Sequence, residues 1–303
     1  MKKSVVLITH PRHEARLRRL TVIMEGALPE FVFVLMAPPS VAAIGTSILQ
    51  WSPESCHGVV VAGGDGTIHH ALGALMASGL PLYIWPLGTG NDFAKELGMT
   101  AAIPTLVAAL RRATLRRVDL VSVNGRPFAT VAGLGLSAKI VKCIDDGRCN
   151  SACFRFLVKL LRGNIYTLVT VFLVVFSPRP TMHLVIRTDE EELREESLTL
   201  FVLNTRRAGG GLIFEPDALY DDGALDLVNV TGRGRFATLI ALWQIATQRR
   251  PSAVTRRRCR SAALQVVGDK AAYAYADGEV LDAHGEWSCQ ILPGALIVFD
   301  PSV

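Results

Sequence analysis

The sequence predicts an α/β domain, built on a parallel sheet with flanking helices, followed by a β-rich domain whose antiparallel strands form a sandwich. Three observations lead to this fold class. Strand-like and helix-like runs alternate over the first 120 residues, which is typical of a parallel sheet covered on both faces. After residue 122, short strand-like runs separated by turn residues predominate. The 303 residues, 50% of them hydrophobic, are enough to build two cores.

In the first domain, each predicted strand is a short apolar run, and each predicted helix repeats apolar residues at spacings of three and four. The predicted strands are Ser4–Thr9, Phe31–Met36, Gly58–Ala62 and Leu82–Trp85. The predicted helices are Glu14–Gly26, Ile68–Leu75 and Ile103–Leu110. Right-handed connections send every strand-to-helix turn to the same edge of a parallel sheet. We therefore expect the loops after the third and fourth strands to be neighbours in space.

The second domain is predicted from alternating apolar runs between turn clusters such as Asp221-Asp-Gly223. Its predicted strands are Pro127–Ala132, Thr181–Thr188, Ser197–Asn204, Ala224–Val230, Ala262–Val267, Ala271–Ala276 and Cys289–Phe299. Helical patterns interrupt them at about 150–176 and 234–248. We expect domains over residues 1–122 and 123–303, with a return of the last strand to the first domain left as an option.

Composition narrows the class of protein only moderately. A net charge of +5 favours anionic partners without choosing among nucleotides, membrane surfaces and nucleic acids. The six cysteines form no Cys-x-x-Cys pair, which argues against a zinc site. No secretory signal is visible at the start, so a cytoplasmic protein with reduced thiols is expected. The uncharged run 165–176 is shorter than the roughly 20 residues that a membrane-spanning helix needs.

The loop Gly63-Gly-Asp-Gly-Thr67, between a predicted strand and a predicted helix, is a candidate phosphate-binding site. Its glycines allow backbone N–H groups to approach an anion, and the helix presents its positive end to the same place. A carboxylate in such a loop would repel phosphate unless Mg²⁺ or a proton lay between them. Asp65 is therefore the first candidate for a functional residue.

A second glycine loop, Pro86-Leu-Gly-Thr-Gly-Asn-Asp-Phe-Ala94, follows the fourth strand. Its simplest interpretation is the start of a helix that Asn91 or Asp92 caps. Its expected position beside Gly63–Thr67 argues for a shared function of the two loops instead.

Together these two loops resemble the catalytic domain of the diacylglycerol kinase family, which includes sphingosine and ceramide kinases and bacterial soluble lipid kinases. A Gly-Gly-Asp-Gly loop also occurs in NAD kinases, and the second loop is what favours the lipid kinases. Further segments in the family's order extend the resemblance along nearly the whole chain. They are Asp119–Asn124, Val131–Gly135, Gly209–Asp226 and Asp277–Glu279.

The resemblance implies an ATP- and Mg²⁺-dependent kinase that phosphorylates a lipid hydroxyl, with diacylglycerol the leading candidate. It implies that ATP phosphates lie along the first loop, with help from the second. The implied nucleotide-binding residues are Gly63, Gly64, Asp65, Gly66, Thr67, Thr89, Asn91, Asp92 and Asp119. Among these, Asp65, Asp92 and Asp119 resemble the family's acidic network near the metal and phosphates.

The resemblance also implies a catalytic base and a second metal site in the β-rich domain. Glu279 resembles the family's base, with Asp277 as its partner or as the alternative base; Asp277-Gly278 by itself would be read as a hairpin turn. A base is needed because the attacking hydroxyl must lose its proton. A structural Mg²⁺ would be held by the Asp222 carboxylate and by backbone oxygens of Leu219 and Ala224.

Two features depart from the family pattern. The first strand ends in Thr9-His-Pro-Arg12, where the family commonly has Asn-Pro and a glycine. Lys95 stands where arginine is frequent. Both changes keep polar or positive character, so we expect nucleotide binding to be retained.

A cluster of arginines near the end of the chain has two interpretations. It is either a solvated loop or strand face, or a patch that adheres to anionic lipid headgroups at about 1 kcal/mol per basic residue. Its members are Arg249, Arg250, Arg256, Arg257, Arg258 and Arg260. Nucleic acid is not expected as a partner because no aromatic residues alternate with these arginines.

Two alternative functions stay open beside the lipid kinase. One is a kinase of a soluble alcohol such as NAD. The other is a non-catalytic regulator that binds lipid or nucleotide. Apolar walls for a lipid are expected to include 154–176. The oligomeric state is not predicted, and a homodimer is one option.

Overall fold

The computed structural model describes residues 2–150, 174, 181–209, 211–231, 234–246, 254–267 and 272–302. The chain divides into two compact units, Met1–Leu120 with Pro293–Val303, and Val121–Leu292. Strands β5 (Leu115–Val123) and β18 (Glu286–Phe299) contribute residues to both units. Within the described ranges, no helix is long and apolar enough to cross a membrane.

The first unit is an α/β domain. Its other strands are β1 (Ser4–Thr9), β2 (Val32–Met36), β3 (Cys56–Gly63) and β4 (Leu82–Pro86). Its helices are α1 (Glu14–Ala27), α2 (Ala43–Ile48), α3 (Asp65–Ser78), α4 (Asp92–Glu96) and α5 (Ile103–Arg112). The strands pair in the order β2-β1-β3-β4, all parallel, and Val298 of β18 extends this parallel arrangement beside β4.

Burial explains why the strands of the first unit read as continuous apolar runs. Val5, Val6, Leu7 and Ile8 of β1 all have 0% exposure, and 59–62 in β3 are equally buried. A parallel strand covered on both faces has no solvent side, so its sequence does not alternate.

The second unit is rich in antiparallel strands. Its strands between β5 and β18 are β6 (Arg126–Phe128), β7 (Val131–Gly135), β8 (Met182–Thr188), β9 (Glu192–Ser197), β10 (Thr199–Leu203), β11 (Arg207–Ala208), β12 (Leu212–Ile213), β13 (Leu225–Val230), β14 (Val254–Cys259), β15 (Ser261–Val266), β16 (Ala272–Ala276) and β17 (Glu279–His284). Its described helices are α6 (Leu136–Asn150) and α7 (Arg235–Ala246). One sheet has the order β14-β13-β10-β7-β16-β17, and β18, β15, β8 and β9 pair in that order in another.

These two sheets pack face to face as a sandwich. Leu200 and Val202 of β10 share one buried cluster with Leu264 and Trp287 of the other sheet. The alternate residues Phe201 and Leu203 belong to a second cluster, which includes Ala138 and Val141 of α6. Because successive side chains of a strand point to opposite faces, β10 contributes to both clusters.

The predicted fold class is confirmed, and most predicted elements occur within two or three residues of their expected ends. The prediction of one strand over Pro127–Ala132 was wrong, because β6 ends at Phe128 and β7 begins only at Val131. Strands β5, β9, β11, β12, β14 and β17 and helix α6 were missed. The helical pattern predicted at 150–176 and the lipid wall predicted at 154–176 lie outside the described residues, except for Asn150 and Val174.

Candidate functional site

The glycine loop after β3 is shorter than the sequence suggested, because α3 already begins at Asp65. Gly64 is the N-cap residue, with extended backbone (φ −102°, ψ −174°), and it has no side chain to cap the helix. The first N–H groups of a helix have no partner within the helix, so a helix start without a side-chain cap can receive an anion there. Gly63 is confined for a separate reason, since a Cβ on it would collide with the side chain of Thr67.

The two glycine loops lie against each other, backbone to backbone. A Cβ added to Gly88 would lie 2.5 Å from Gly64 Cα, and a Cβ on Gly64 would lie 3.0 Å from Gly88 Cα. The N–H of Leu87 also donates to the carbonyl oxygen of Gly63 at 2.9 Å. The predicted neighbourhood of the two loops is therefore present, and glycine is required at the contact.

Asp65 joins the loops through its side chain. Its Oδ1 accepts a hydrogen bond from the N–H of Phe93, in the first turn of α4, at 3.3 Å. Of the two residues predicted to cap α4, Asn91 or Asp92, Asn91 occupies the N-cap position with a left-handed backbone (φ 51°), but its side chain makes no capping bond. Instead, Asn91 Oδ1 accepts from Gly88 N and Asn91 Nδ2 donates to Gly88 O, both at 2.8 Å. Asn91 therefore closes its own loop.

This packing predicts that Gly88→Ala destabilises the first unit. The added methyl would have to displace the Gly64 backbone or the Asn91 amide, 2.8 Å away, and such overpacking costs about 1–3 kcal/mol. Gly73→Ala, in the same domain, is the matched control because a Cβ there meets nothing within 4 Å. Alanine in a helix is expected to stabilise by up to about 1 kcal/mol. Chemical unfolding curves of the two variants measure both effects, and equal stability of Gly88→Ala and the unsubstituted protein would contradict the packing argument.

The other acidic residues implied for the nucleotide site are buried. Asp92 is the first residue of α4 and is 4% exposed. Asp119 of β5, also 4% exposed, accepts a hydrogen bond from Gly294 N at 2.7 Å. Its carboxylate therefore fixes a turn within β18, and its part in an acidic network stays a prediction. Thr89 is exposed at the tip of the second loop.

The loop after β1, where the sequence departs from the family pattern, lies at the same edge. Thr9 is paired with Ala62, and its hydroxyl donates to the Ala62 carbonyl oxygen at 2.8 Å. A short 3-10 helix, Pro11–His13, follows. Partial burial lowers the pKa of His13, and the positive charges of Arg12, His10 and Arg16 lower it further. The loop and the start of α1 therefore keep the basic side chains of Arg12 and Arg16, whereas His13 is less readily protonated than an ordinary histidine.

In the second unit, the predicted base and its partner occupy the hairpin between β16 and β17. The two turn residues, Asp277 (φ 48°) and Gly278 (φ 90°), both have positive φ, as a type I′ turn requires. The hairpin pairs Ala276 with Glu279, and the Glu279 side chain is exposed. The structure thus presents Glu279 to solvent at the end of a rigid turn.

Asp277 has a different environment, because its carboxylate holds the segment before β7. Its Oδ2 accepts from Ala129 N at 2.8 Å, and its Oδ1 accepts from Thr130 N at 2.8 Å and Thr130 Oγ1 at 2.6 Å. The opposite side of this segment is held by Asn204, whose Nδ2 donates to Ala129 O at 2.9 Å. These bonds favour a positioning role for Asp277 and leave Glu279 as the better candidate for a base.

Removal of the Asp277 carboxylate is therefore expected to destabilise the second unit. Asp277→Ala deprives the buried N–H groups of Ala129 and Thr130 of their acceptor, which costs about 2–4 kcal/mol for the two together. Glu279→Gln, on the same hairpin, is the matched control and should leave the free energy of unfolding within about 0.5 kcal/mol. Chemical unfolding measures both, and a fully stable Asp277→Ala protein would refute the positioning role.

The residues predicted for a second metal site belong to an acidic segment, 215–226, that leads into β13 and includes its first two residues. Asp222 Oδ1 accepts a hydrogen bond from Ala224 N at 3.1 Å, and Leu219 is 46% exposed. Burial raises the pKa of Asp226 to about 6, and the charge of Arg258 acts in the opposite direction. The described residues contain no group of three or more His, Cys, Asp or Glu side chains placed to hold a metal ion.

The partners of this acidic segment, which its sequence did not reveal, are the arginines of β14. Arg256 forms an ion pair with Glu215, and Arg258 forms one with Asp222. Arg257 pairs with Glu191, at 3.0 Å, and with Glu195. Three arginines predicted for a lipid-binding patch therefore have carboxylate partners. Of the other three, Arg260 is exposed, whereas Arg249 and Arg250 lie outside the described residues.

Two family models match the chain in succession. Residues 12–123 match the diacylglycerol kinase catalytic domain, and residues 131–300 match the YegS C-terminal NAD kinase beta sandwich-like domain. The second match alone covers more than half of the chain.

Similar curated proteins carry lipid kinase names. A "Probable lipid kinase YegS-like" protein of Pseudomonas aeruginosa is 34% identical over 171 residues, 56% of this chain and 53% of that protein. One of the same name from Shewanella frigidimarina is 28% identical over 193 residues, 62% of this chain and 59% of that protein. A "Diacylglycerol kinase" of Mycobacterium tuberculosis is 33% identical over 175 residues, 56% and 53% of the two chains. The chain thus spans little more than half the length of these relatives.

Solved structures support the fold. The crystal structure of a diacylglycerol kinase from Bacillus anthracis superposes with a TM-score of 0.70 at 18% identity, covering 99% of this chain and 97% of that one. A second crystal structure from that organism superposes with a TM-score of 0.78 at 20% identity and covers 100% of both chains. At these identities the likeness concerns the fold alone.

Proposed function

The chain belongs to the family that joins a diacylglycerol kinase catalytic domain to a YegS C-terminal NAD kinase beta sandwich-like domain, and we propose from this premise that it is an ATP- and Mg²⁺-dependent lipid kinase. The reaction is transfer of the γ-phosphoryl group of ATP to a lipid hydroxyl. The lipid is diacylglycerol and the product phosphatidic acid, which is the reaction that the name of the M. tuberculosis relative suggests.

The observation that carries the proposal is the contact between the two glycine loops with Asp65 across it. Gly63, Gly64 and Gly88 leave no room for side chains, so backbone N–H groups and the start of α3 can approach phosphate oxygens closely. Gly66, Thr67 and Thr89 complete the proposed phosphate contacts. The triphosphate would then lie along the first turn of α3.

The donor set also fits Mg²⁺ bound together with ATP. The half-buried Asp65 carboxylate stands at the phosphate-binding turn, where an anion is tolerated only if a cation compensates it. When bound, Mg²⁺ would neutralise the negative charge that develops on the phosphoryl group during transfer. We assign Asp65 to hold it, supported by the buried Asp92, while Asp119 and Asn91 keep the surrounding turns in place.

Glu279 is assigned as the general base. Its carboxylate is exposed, so it can reach a lipid hydroxyl and accept the proton that the hydroxyl loses during attack on the γ-phosphorus. The type I′ turn and the hydrogen bonds of Asp277 fix the backbone from which Glu279 projects. Correct placement of a base on a rigid turn is what this step requires of the protein.

We propose that the lipid is reached by peripheral contact with a membrane surface. Since three of the six clustered arginines have carboxylate partners, the proposal rests on Arg260, on Arg249 and Arg250, and on apolar residues of α7. Phe236, Ile240 and Trp243, at spacings of four and three along that helix, are 84%, 55% and 55% exposed. Exposed aromatic and aliphatic side chains of this kind are suited to a lipid interface.

A soluble alcohol such as NAD is the second candidate acceptor, favoured by the NAD kinase likeness of the β-rich domain. The two candidates differ in their need for an interface. We expect phosphorylation of diacylglycerol in mixed vesicles and no conversion of NAD to NADP under the same conditions. If NADP forms at the same rate with and without vesicles, the acceptor is a soluble alcohol. If ATP is turned over only at the background rate with both acceptors, the protein is better explained as a non-catalytic regulator.

A further inference from the structure

The acidic segment 215–226 lies against the basic strand β14, within one unit of the protein. Asp226 and Arg258 are cross-strand neighbours in the antiparallel register of β13 and β14. The guanidinium group of Arg258 therefore projects beside the acidic segment as a consequence of strand pairing.

Arg258 contacts the segment at three places. Its Nη2 pairs with Asp222 Oδ2 and also donates to the carbonyl oxygen of Asp217 at 3.3 Å. Its Nε lies 3.6 Å from Asp226 Oδ1. Two carboxylates and one carbonyl oxygen are typical ligands of a bound divalent cation. Here the same oxygen atoms surround the guanidinium group of Arg258.

The same residues fit poorly as a resident Mg²⁺ site. Asp222, the only side-chain ligand that the family resemblance implies, already accepts Ala224 N on Oδ1 and Arg258 on Oδ2. Mg²⁺ demands near-octahedral oxygen coordination and gives up its water reluctantly. To bind here it would have to displace a fixed positive charge.

We propose that Arg258 is the resident cation of the acidic segment 215–226, in place of the structural Mg²⁺ that the family resemblance implies. The fold of the second unit is then independent of divalent metal. This inference concerns a site apart from the glycine loops and holds whether or not the protein is a lipid kinase.

Mn²⁺ binding to the nucleotide-free protein tests the proposal, measured by electron paramagnetic resonance after treatment with EDTA. The unsubstituted protein and Asp222→Asn should show the same weak Mn²⁺ binding, and EDTA should not change the Tm of either. Arg258→Ala exposes the oxygen set and should bind Mn²⁺ at least about tenfold more tightly, a gain that adding Asp222→Asn removes. Arg257→Ala, whose partners are Glu191 and Glu195, is the matched control and should gain no Mn²⁺ site.

Thermal unfolding provides a second readout in the same samples. Arg258→Ala should lower the Tm by about 3–6 °C in EDTA, and Mg²⁺ should restore part of the loss. If Arg258→Ala unfolds altogether without metal, recovery of the fold in Mg²⁺ supports the proposal equally. One equivalent of Mn²⁺ bound to the unsubstituted protein and lost in Asp222→Asn would overturn it, as would a folded Arg258→Ala protein with unchanged Tm and no Mn²⁺ site.

Discussion

Asp65→Ala is expected to reduce phosphoryl transfer from ATP by about 10²–10³-fold or more while the protein stays folded. Two contributions disappear together. One is the negative charge of the Asp65 carboxylate, which we propose binds Mg²⁺, and the other is the hydrogen bond that Phe93 N donates to Asp65 Oδ1. Loss of a capping bond of this kind costs about 0.5–2 kcal/mol of stability, too little to unfold a domain. Initial rates with radiolabelled ATP and diacylglycerol vesicles, with circular dichroism of the same samples, measure both effects.

Asp65→Asn separates the two contributions. The amide oxygen can still accept from Phe93 N, so the contact between the loops should survive and the Tm should stay within about 2 °C of the original. Transfer should nevertheless fall nearly as far as in Asp65→Ala, because the charge is gone. Full activity of Asp65→Asn would contradict the proposal that Asp65 binds Mg²⁺. The role of Asp65 would then be limited to accepting the hydrogen bond at the start of α4.

Glu279→Gln is expected to reduce kcat by about 10²–10⁴-fold, which is the usual contribution of a general base. The substitution keeps the size of the side chain but removes its ability to take the hydroxyl proton. Since Glu279 is exposed at the first position of β17, the free energy of unfolding should hardly change. The affinity for ATP should also be unaffected, because the nucleotide is assigned to the first unit.

Asp282→Asn controls for charge, since Asp282 is another exposed carboxylate of β17. It should keep kcat within about twofold, as surface substitutions away from a site usually have small effects. Equal activity of Glu279→Gln and Asp282→Asn would show that Glu279 is not the base. Asp277→Ala does not serve as such a test, because it also removes the acceptor for Ala129 and Thr130.

The first domain could be predicted closely because its signals are local. Strands β1, β3 and β4 are buried on both faces and read as unbroken apolar runs, and the helices repeat apolar residues at helical spacing. The handedness of the connections then placed the two glycine loops side by side, and the contact of Gly64 with Gly88 bears this out. What sequence reasoning could not supply was the role of single side chains: Asn91 closes its own loop, and Asp65 reaches across to α4.

The second domain was harder to predict because part of its sheet structure is stabilised by charges. Strands β9 and β14 read as polar segments, Glu192–Ser197 and Val254–Cys259, and were missed for that reason. Their charges meet between the two sheets, as in the ion pair between Arg257 of β14 and Glu195 of β9. A charged segment was interpreted as a solvated or lipid-facing surface, whereas complementary carboxylates, distant in sequence, make it part of a sheet.

The carboxylates of the hairpin between β16 and β17 also could not be distinguished without knowing which distant residues they contact. Asp277 and Glu279 are two residues apart and chemically alike, so the sequence left either as the base. The structure distinguishes them by their partners, since Asp277 accepts three hydrogen bonds from residues about 147 positions away in the chain. Contacts over such sequence separations have no local signature.

The most direct test of the proposed lipid kinase is the fate of the γ-phosphoryl group. The protein would be incubated with Mg²⁺, γ-¹⁸O-labelled ATP and a total lipid extract, and the products analysed by mass spectrometry, with Asp65→Asn and Glu279→Gln in parallel. We predict labelled phosphate in a single lipid class, phosphatidic acid, and its absence in both variants. Label that appears only in inorganic phosphate or in a water-soluble product, or equal label in all three proteins, would contradict the proposed function.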